Sequence, residues 1–133
     1  MDQKKFKTST ARIKIVQKIY NYLLNPNTEI EYPKSSSKKF IKEIVSGSIE
    51  RAEFIEETVI KHLDKDINLK KTDKLLKIIL YAAVYELLFK PSTPKKVIIS
   101  EYLLTSEYFL EKVQIGYLNA ILDKISKELR KDE

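Results

Sequence analysis

With 133 residues, 43% of them hydrophobic, the chain is long enough for one buried core, and it carries a formal net charge of +6. It has no cysteine, which excludes a disulfide framework and Cys-based zinc sites. Its two glycines and four prolines are too few for a run of antiparallel hairpins, so the fold class that remains is all-α, as one domain or two small sub-bundles sharing a core.

Residues 1–8 read as a flexible basic tail carrying Lys4, Lys5 and Lys7. No apolar segment follows these lysines, so no signal peptide or membrane anchor is read there, and the cytoplasm is the expected compartment. The hydroxyls of Thr8, Ser9 and Thr10 offer caps for a helix that runs from about Ser9 to Leu24. Ile13, Val16, Tyr20 and Leu23 recur at helical steps on it, and Ile15 and Ile19 widen the stripe. Arg12, Lys14 and Lys18 ride on the same helix. They form either a solvated basic face or a phosphate-contacting surface.

Asn25-Pro26-Asn27 stops this helix. A loop follows through Tyr32-Pro33 to Ser35–Ser37, where a serine caps the next helix, and Lys34, Lys38 and Lys39 flank the serines. From Ser37 to Leu63, apolar positions at Ile41, Val45, Ile55 and Val59 keep one helical period. The pattern predicts a single long helix, bent at Gly47 where the backbone is freest. His62 is the single histidine and has no ligand-type partner at metal spacing, so it reads as structural. Asp64 to Lys71 reads as a polar connection.

Thr72 to Phe89 is the most apolar stretch in the chain. Ile78, Ile79, Leu80, Ala82, Ala83 and Val84 cover every side of a helix, which predicts a central helix buried all round. Thr72 or Asp73 caps its start, and Lys90-Pro91 ends it. The apolar run falls well short of the roughly 20 residues that span a bilayer. Thr93-Pro94 predicts the next helix, capped by Thr93 and running to about Phe109. Glu101 lies on or beside its apolar face, which asks for a partner or an interface. Leu110 to Gly116 reads as a turn, and a last helix is predicted from about Tyr117 to Leu129.

No glycine-rich phosphate loop, no Ser-His-Asp or Cys-His arrangement and no metal-spaced cluster is present in this pattern. Glu56-Glu57 and Asp64/Asp66 read as solvated carboxylates. An enzyme is not expected, nor a cofactor. Arginine is confined to Arg12, Arg51 and Arg130, so any phosphate affinity leans on lysine and on salt-sensitive electrostatics.

Five short pieces in order resemble the NusB family of bacterial transcription antitermination factors. They are Val16–Tyr20 (VQKIY), Phe40–Gly47 (FIKEIVSG), Ala82–Leu88 (AAVYELL), Pro94–Tyr102 (PKKVIISEY) and Gly116–Ile125 (GYLNAILDKI). The resemblance covers nearly the whole chain. It implies a compact all-α bundle of two packed three-helix-like sub-bundles, at about residues 9–63 and 72–130, with no enzymatic activity. It also implies binding of boxA-type single-stranded RNA together with NusE, a small-subunit ribosomal protein, and entry into an RNA polymerase antitermination complex. Some members of the family self-associate as homodimers through surfaces that overlap the RNA site.

Carried onto this sequence, the resemblance places RNA binding at Lys4, Lys5, Lys7, Arg12, Lys14 and Tyr117, and partner binding at Tyr20 and Lys77. The family's arginine-rich start is thinned here to Arg12, Gly116 stands where lysine is frequent, Ser100 replaces an asparagine, and Tyr81 replaces an arginine. Two other readings stay open. One is a helical protein-interaction module whose RNA binding is lost or weak. The other is the RNA-binding domain of an RNA methyltransferase, which would need a catalytic domain after it.

Overall fold

The computed structural model describes residues 3–63 and 72–133, with side chains from Thr10 onward. Six helices and no strand occur among the described residues: α1 (Gln3–Leu24), α2 (Lys38–Glu50), α3 (Ala52–His62), α4 (Lys74–Phe89), α5 (Lys95–Ser106) and α6 (Lys112–Leu129). The expected connection from Asp64 to Lys71 lies outside the described residues.

Helix α4 is the axis of the bundle, and each of the other five helices packs on it. Ten of its residues are buried, from Leu76 to Leu87, on every side of the helix. Apolar burial on all faces holds a helix in the interior far more firmly than intrinsic propensity does. Its start is fixed by Asp73, whose carboxylate accepts the Leu76 N–H at 3.1 Å. Helix α1 rests on α2 and α5 alike, so both halves of the chain feed one core. Ile15, Val16 and Ile19 supply its buried stripe, whereas Leu23 and Leu24 emerge into solvent.

Four helix boundaries differ from the sequence reading. Helix α1 begins at Gln3, earlier than Ser9. The long helix predicted over 37–63 is two helices that part at Arg51, where the backbone leaves helical geometry (φ −107°, ψ 19°), and not at Gly47. The Arg51 guanidinium lies 4.6 Å from the Phe89 ring centre, so a contact with α4 accompanies the break. Gly47 stays helical and buried. A Cβ there would overlap the edge of the Tyr85 ring, so glycine serves close helix approach and not bending.

At the other end, α6 starts at Lys112 and not at Tyr117. Glu111 and Gln114 form a reciprocal capping box that satisfies the first free amides, which turns the expected turn into helix. Helix α5 ends at Ser106, short of Phe109, and takes Pro94 as its N-cap residue without a side-chain cap.

The chain end is pinned back onto the central helix. Arg130 donates from Nε to the Leu87 carbonyl at 2.8 Å, and from its terminal nitrogens to the Thr93 and Lys90 carbonyls, each at 3.0 Å. These acceptors sit at the C-terminal end of α4 and in the loop after it, where carbonyls lack helical partners and a cation is favoured.

Candidate RNA and partner surfaces

Arg12 does not lie on the basic face with Lys14. It is one helical step from Ile15 and Val16, and so shares the inward stripe of α1. Its residue is 9% exposed. Nε donates to one Glu86 carboxylate oxygen at 3.1 Å and Nη2 to the other at 2.8 Å, a bidentate pair across 74 residues of sequence. Glu86 is fully buried on α4 and also accepts the Tyr102 hydroxyl from α5. Phe40 and Tyr102 present their rings to the guanidinium with centroids at 5.0 and 5.4 Å.

Burial opposes the charge on Arg12, but the bond to Glu86 and the surrounding negative groups outweigh it and hold the guanidinium protonated more strongly than usual. The role expected for Arg12, a phosphate contact, is therefore corrected: its donor fork is engaged inside the protein. It ties α1 to α4 and α5, and so fixes how α1 presents its outer face.

Glu101 is the partner-seeking carboxylate of the sequence reading, and Arg12 is the cation it finds. Its Oε2 lies 3.8 Å from Arg12 Nη1, close enough for attraction and too long for a hydrogen bond, and that oxygen has none among the described residues. Burial pushes the Glu101 carboxyl up, Arg12 pulls it back, and Glu86 pushes it up again, with a net rise.

Lys14 stands on the outer face of α1 and is exposed. Lys4, Lys5 and Lys7 belong to the first turns of the same helix, and their side chains lie outside the described residues. Tyr117 is in the second turn of α6, at the edge between the buried stripe of Leu118, Ile121, Leu122 and Ile125 and the solvent-facing side of the helix. That face is open: Val113 is 85% exposed and Tyr117 37%, with Gly116 and Ala120 beside them. A Cβ at Gly116 would meet nothing within 4 Å, so the flank of the tyrosine is unobstructed. Helix α6 packs chiefly on α4 and α5, which leaves Tyr117 and the basic start of α1 on separate elements.

The two residues expected to meet a partner are placed differently from each other. Tyr20 is half-buried and packs against the core. Lys77 lines a groove of about 530 Å³ whose other walls include Ile19, Leu23, Ile49, Ile78 and Tyr81. Two buried hydroxyls in this groove, Ser48 Oγ and Tyr81 Oη, make no well-formed hydrogen bond among the described residues. Burial, and then the nearby Glu56 carboxylate, push the Tyr81 phenol up. Tyr81, Ser48 and Leu23 were missed as groove residues. The periodicity places Leu23 in the apolar stripe of α1, yet it stands half exposed at the groove.

No group of three or more His, Cys, Asp or Glu that could hold a metal ion occurs among the described residues. No helix among them is long and apolar enough to cross a membrane.

Comparison with known proteins fits this geometry. The sequence profile of the NusB family matches residues 3–127. The transcription antitermination protein NusB of Rickettsia akari (strain Hartford) is 33% identical over 147 aligned positions, covering 94% of each chain. That of Rickettsia massiliae (strain Mtu5) is 33% identical over 118 positions, covering 86% of this chain and 76% of its own. The solved structure of T. maritima NusB superposes with a TM-score of 0.80 at 21% identity over 94% of both chains, which speaks for the fold. On the profile match and the full-length relatives, the chain belongs to the NusB family.

Proposed function

We propose that this chain is an RNA-binding transcription antitermination factor. It binds boxA-type single-stranded RNA jointly with a NusE-type ribosomal protein and joins the RNA polymerase antitermination complex in the cytoplasm, without catalysis of its own. The observation that carries the reading is the near-complete coverage of relatives named as transcription antitermination proteins. Two surfaces of the right chemistry support it. Lys14, with Lys4, Lys5 and Lys7 on the same helix, neutralises phosphates. Tyr117, exposed on an open face of α6, stacks on an unpaired base. Lysine supplies charge without bidentate geometry, so affinity for RNA alone is modest and steeply salt-dependent.

The partner enters at the groove beside Lys77, with Tyr20 on α1, the helix that lends Ile19 and Leu23 to that groove. Largely apolar walls, with the buried Ser48 hydroxyl and the carboxylates of Glu53 and Glu56 among them, suit a protein segment that brings both an apolar anchor and a polar group. Held together, the two proteins present a longer surface to the RNA than either does alone. The inward turn of Arg12 favours one second reading, a protein-interaction module with little RNA affinity. Fluorescence anisotropy of a boxA-like RNA, with and without the ribosomal partner, separates the two. RNA binding strengthened by the partner supports the first reading, and partner binding without RNA supports the second.

A further inference from the structure

The outer face of α1 does not end at Lys14. One turn further on, Lys18 reaches over the loop that joins α1 to α2. Its ammonium donates to the Glu31 carbonyl at 2.5 Å and sits 5.4 Å from the centre of the Tyr32 ring. Lys14, Lys18 and Lys38 converge with Tyr32 and Ser35 on a cleft of about 20 Å³, and no acidic residue lines it. That volume is too small for a base or an amino-acid side chain; Pro33 and Ile41 complete the lining, so the three lysines are the charged groups that can meet an anion there. Three cations from two helices meet there, and one of them is fixed by a carbonyl and an aromatic ring, so less side-chain freedom is lost when an anion arrives.

The geometry points to a phosphate-binding cleft between α1 and the start of α2 that carries the RNA backbone onward from Lys14, with Lys18 and Lys38 as its further contacts. The cleft rests on the RNA-binding reading above and extends it, since Lys14 belongs to both surfaces. Tyr32 is a pedestal for Lys18 in this arrangement and not a stacking platform. Neither Lys18 nor Lys38 is in an ion pair among the described residues, so both charges are available to phosphate.

The test is the salt dependence of RNA binding by Lys18→Gln/Lys38→Gln, compared with Lys61→Gln/Lys127→Gln, a pair of exposed lysines on α3 and α6. Each phosphate contact to single-stranded RNA contributes about 0.7 to the slope of log K against log salt. The cleft variant is expected to lose about 1.4 in slope, so its deficit against the parent changes roughly sevenfold between about 50 and 200 mM salt. Lys38→Gln alone removes a side chain that makes no hydrogen bond or ion pair among the described residues, and is expected to lose about half of that slope.

An unchanged slope in both variants, with the parent still binding RNA, overturns the cleft and leaves the RNA-binding reading standing. A parent that binds no RNA overturns both. Polyglutamate binding that falls in the cleft variant, while RNA binding does not, reassigns the cleft to an acidic protein segment and overturns the proposal.

Discussion

Replacing Arg12 by methionine removes the guanidinium and keeps most of the side-chain stem that packs in the interior. Glu86 is fully buried and would lose both of its Arg12 hydrogen bonds, keeping only the Tyr102 hydroxyl. Glu101 would lose a counter-charge at 3.8 Å. Removing one member of a buried ion pair strands the other, at a cost of about 3–5 kcal/mol. For a domain of this size that corresponds to a fall in Tm of roughly 10–20 °C. Urea denaturation followed by far-ultraviolet circular dichroism measures the loss directly. In a double-mutant cycle, Arg12→Met/Glu86→Gln should be less unstable than the sum of the single variants, by about 1–3 kcal/mol. If Arg12→Met instead cost under about 1 kcal/mol and weakened RNA binding as Lys14→Gln does, the guanidinium would belong to the RNA face and the buried assignment would be wrong.

Three further expectations follow from the packing. Gly47→Ala forces Tyr85 to move and should destabilise by about 1–3 kcal/mol, and adding Tyr85→Leu should recover much of that loss in the same denaturation assay. Arg130→Ala removes the guanidinium donor from the Leu87 and Thr93 carbonyls, and leaves the Lys90 carbonyl only the Thr93 N–H; it should cost about 1–3 kcal/mol, with Arg130→Lys a poor rescue because one ammonium cannot reproduce the fork. Glu101 binds its proton more tightly folded than unfolded, so its contribution is fully favourable below the ordinary carboxylate range and is lost as pH rises through its raised folded value. Glu101→Gln should flatten that part of the stability–pH curve, and an unchanged curve would show that the carboxylate carries no shifted proton.

The central helix was legible because its signals agree: an apolar run on all sides, an acidic cap at Asp73 and a stop at Lys90-Pro91. The role of Arg12 was also present in the sequence, but in its phase and not its type. Arg12, Ile15, Val16 and Ile19 fall on one helical face, and two acids, Glu86 within an apolar helix and Glu101 on an apolar face, both required a cation. The family resemblance carried Arg12 to RNA, and residue type alone left a solvated face and a phosphate contact both open. Gly47 and Gly116 misled for a related reason. Gly47 was read as a bend in one long helix and Gly116 as the end of a turn, whereas Gly47 answers to Tyr85 on another helix and Gly116 stands inside α6 facing open space. The break at Arg51 and the groove around Tyr81 depend on helices distant in sequence, and no local pattern announces them.

The most direct measurement is the affinity for a short boxA-like RNA, by fluorescence anisotropy, with and without the NusE-type ribosomal protein, across a salt series. Antitermination-factor binding predicts affinity that strengthens with the partner and weakens with salt. It also predicts a loss of about 1–3 kcal/mol in Tyr117→Ala, as expected when one stacked base is released. Binding of the ribosomal protein without any RNA affinity, or RNA affinity indifferent to Tyr117, Lys14 and salt, would contradict it.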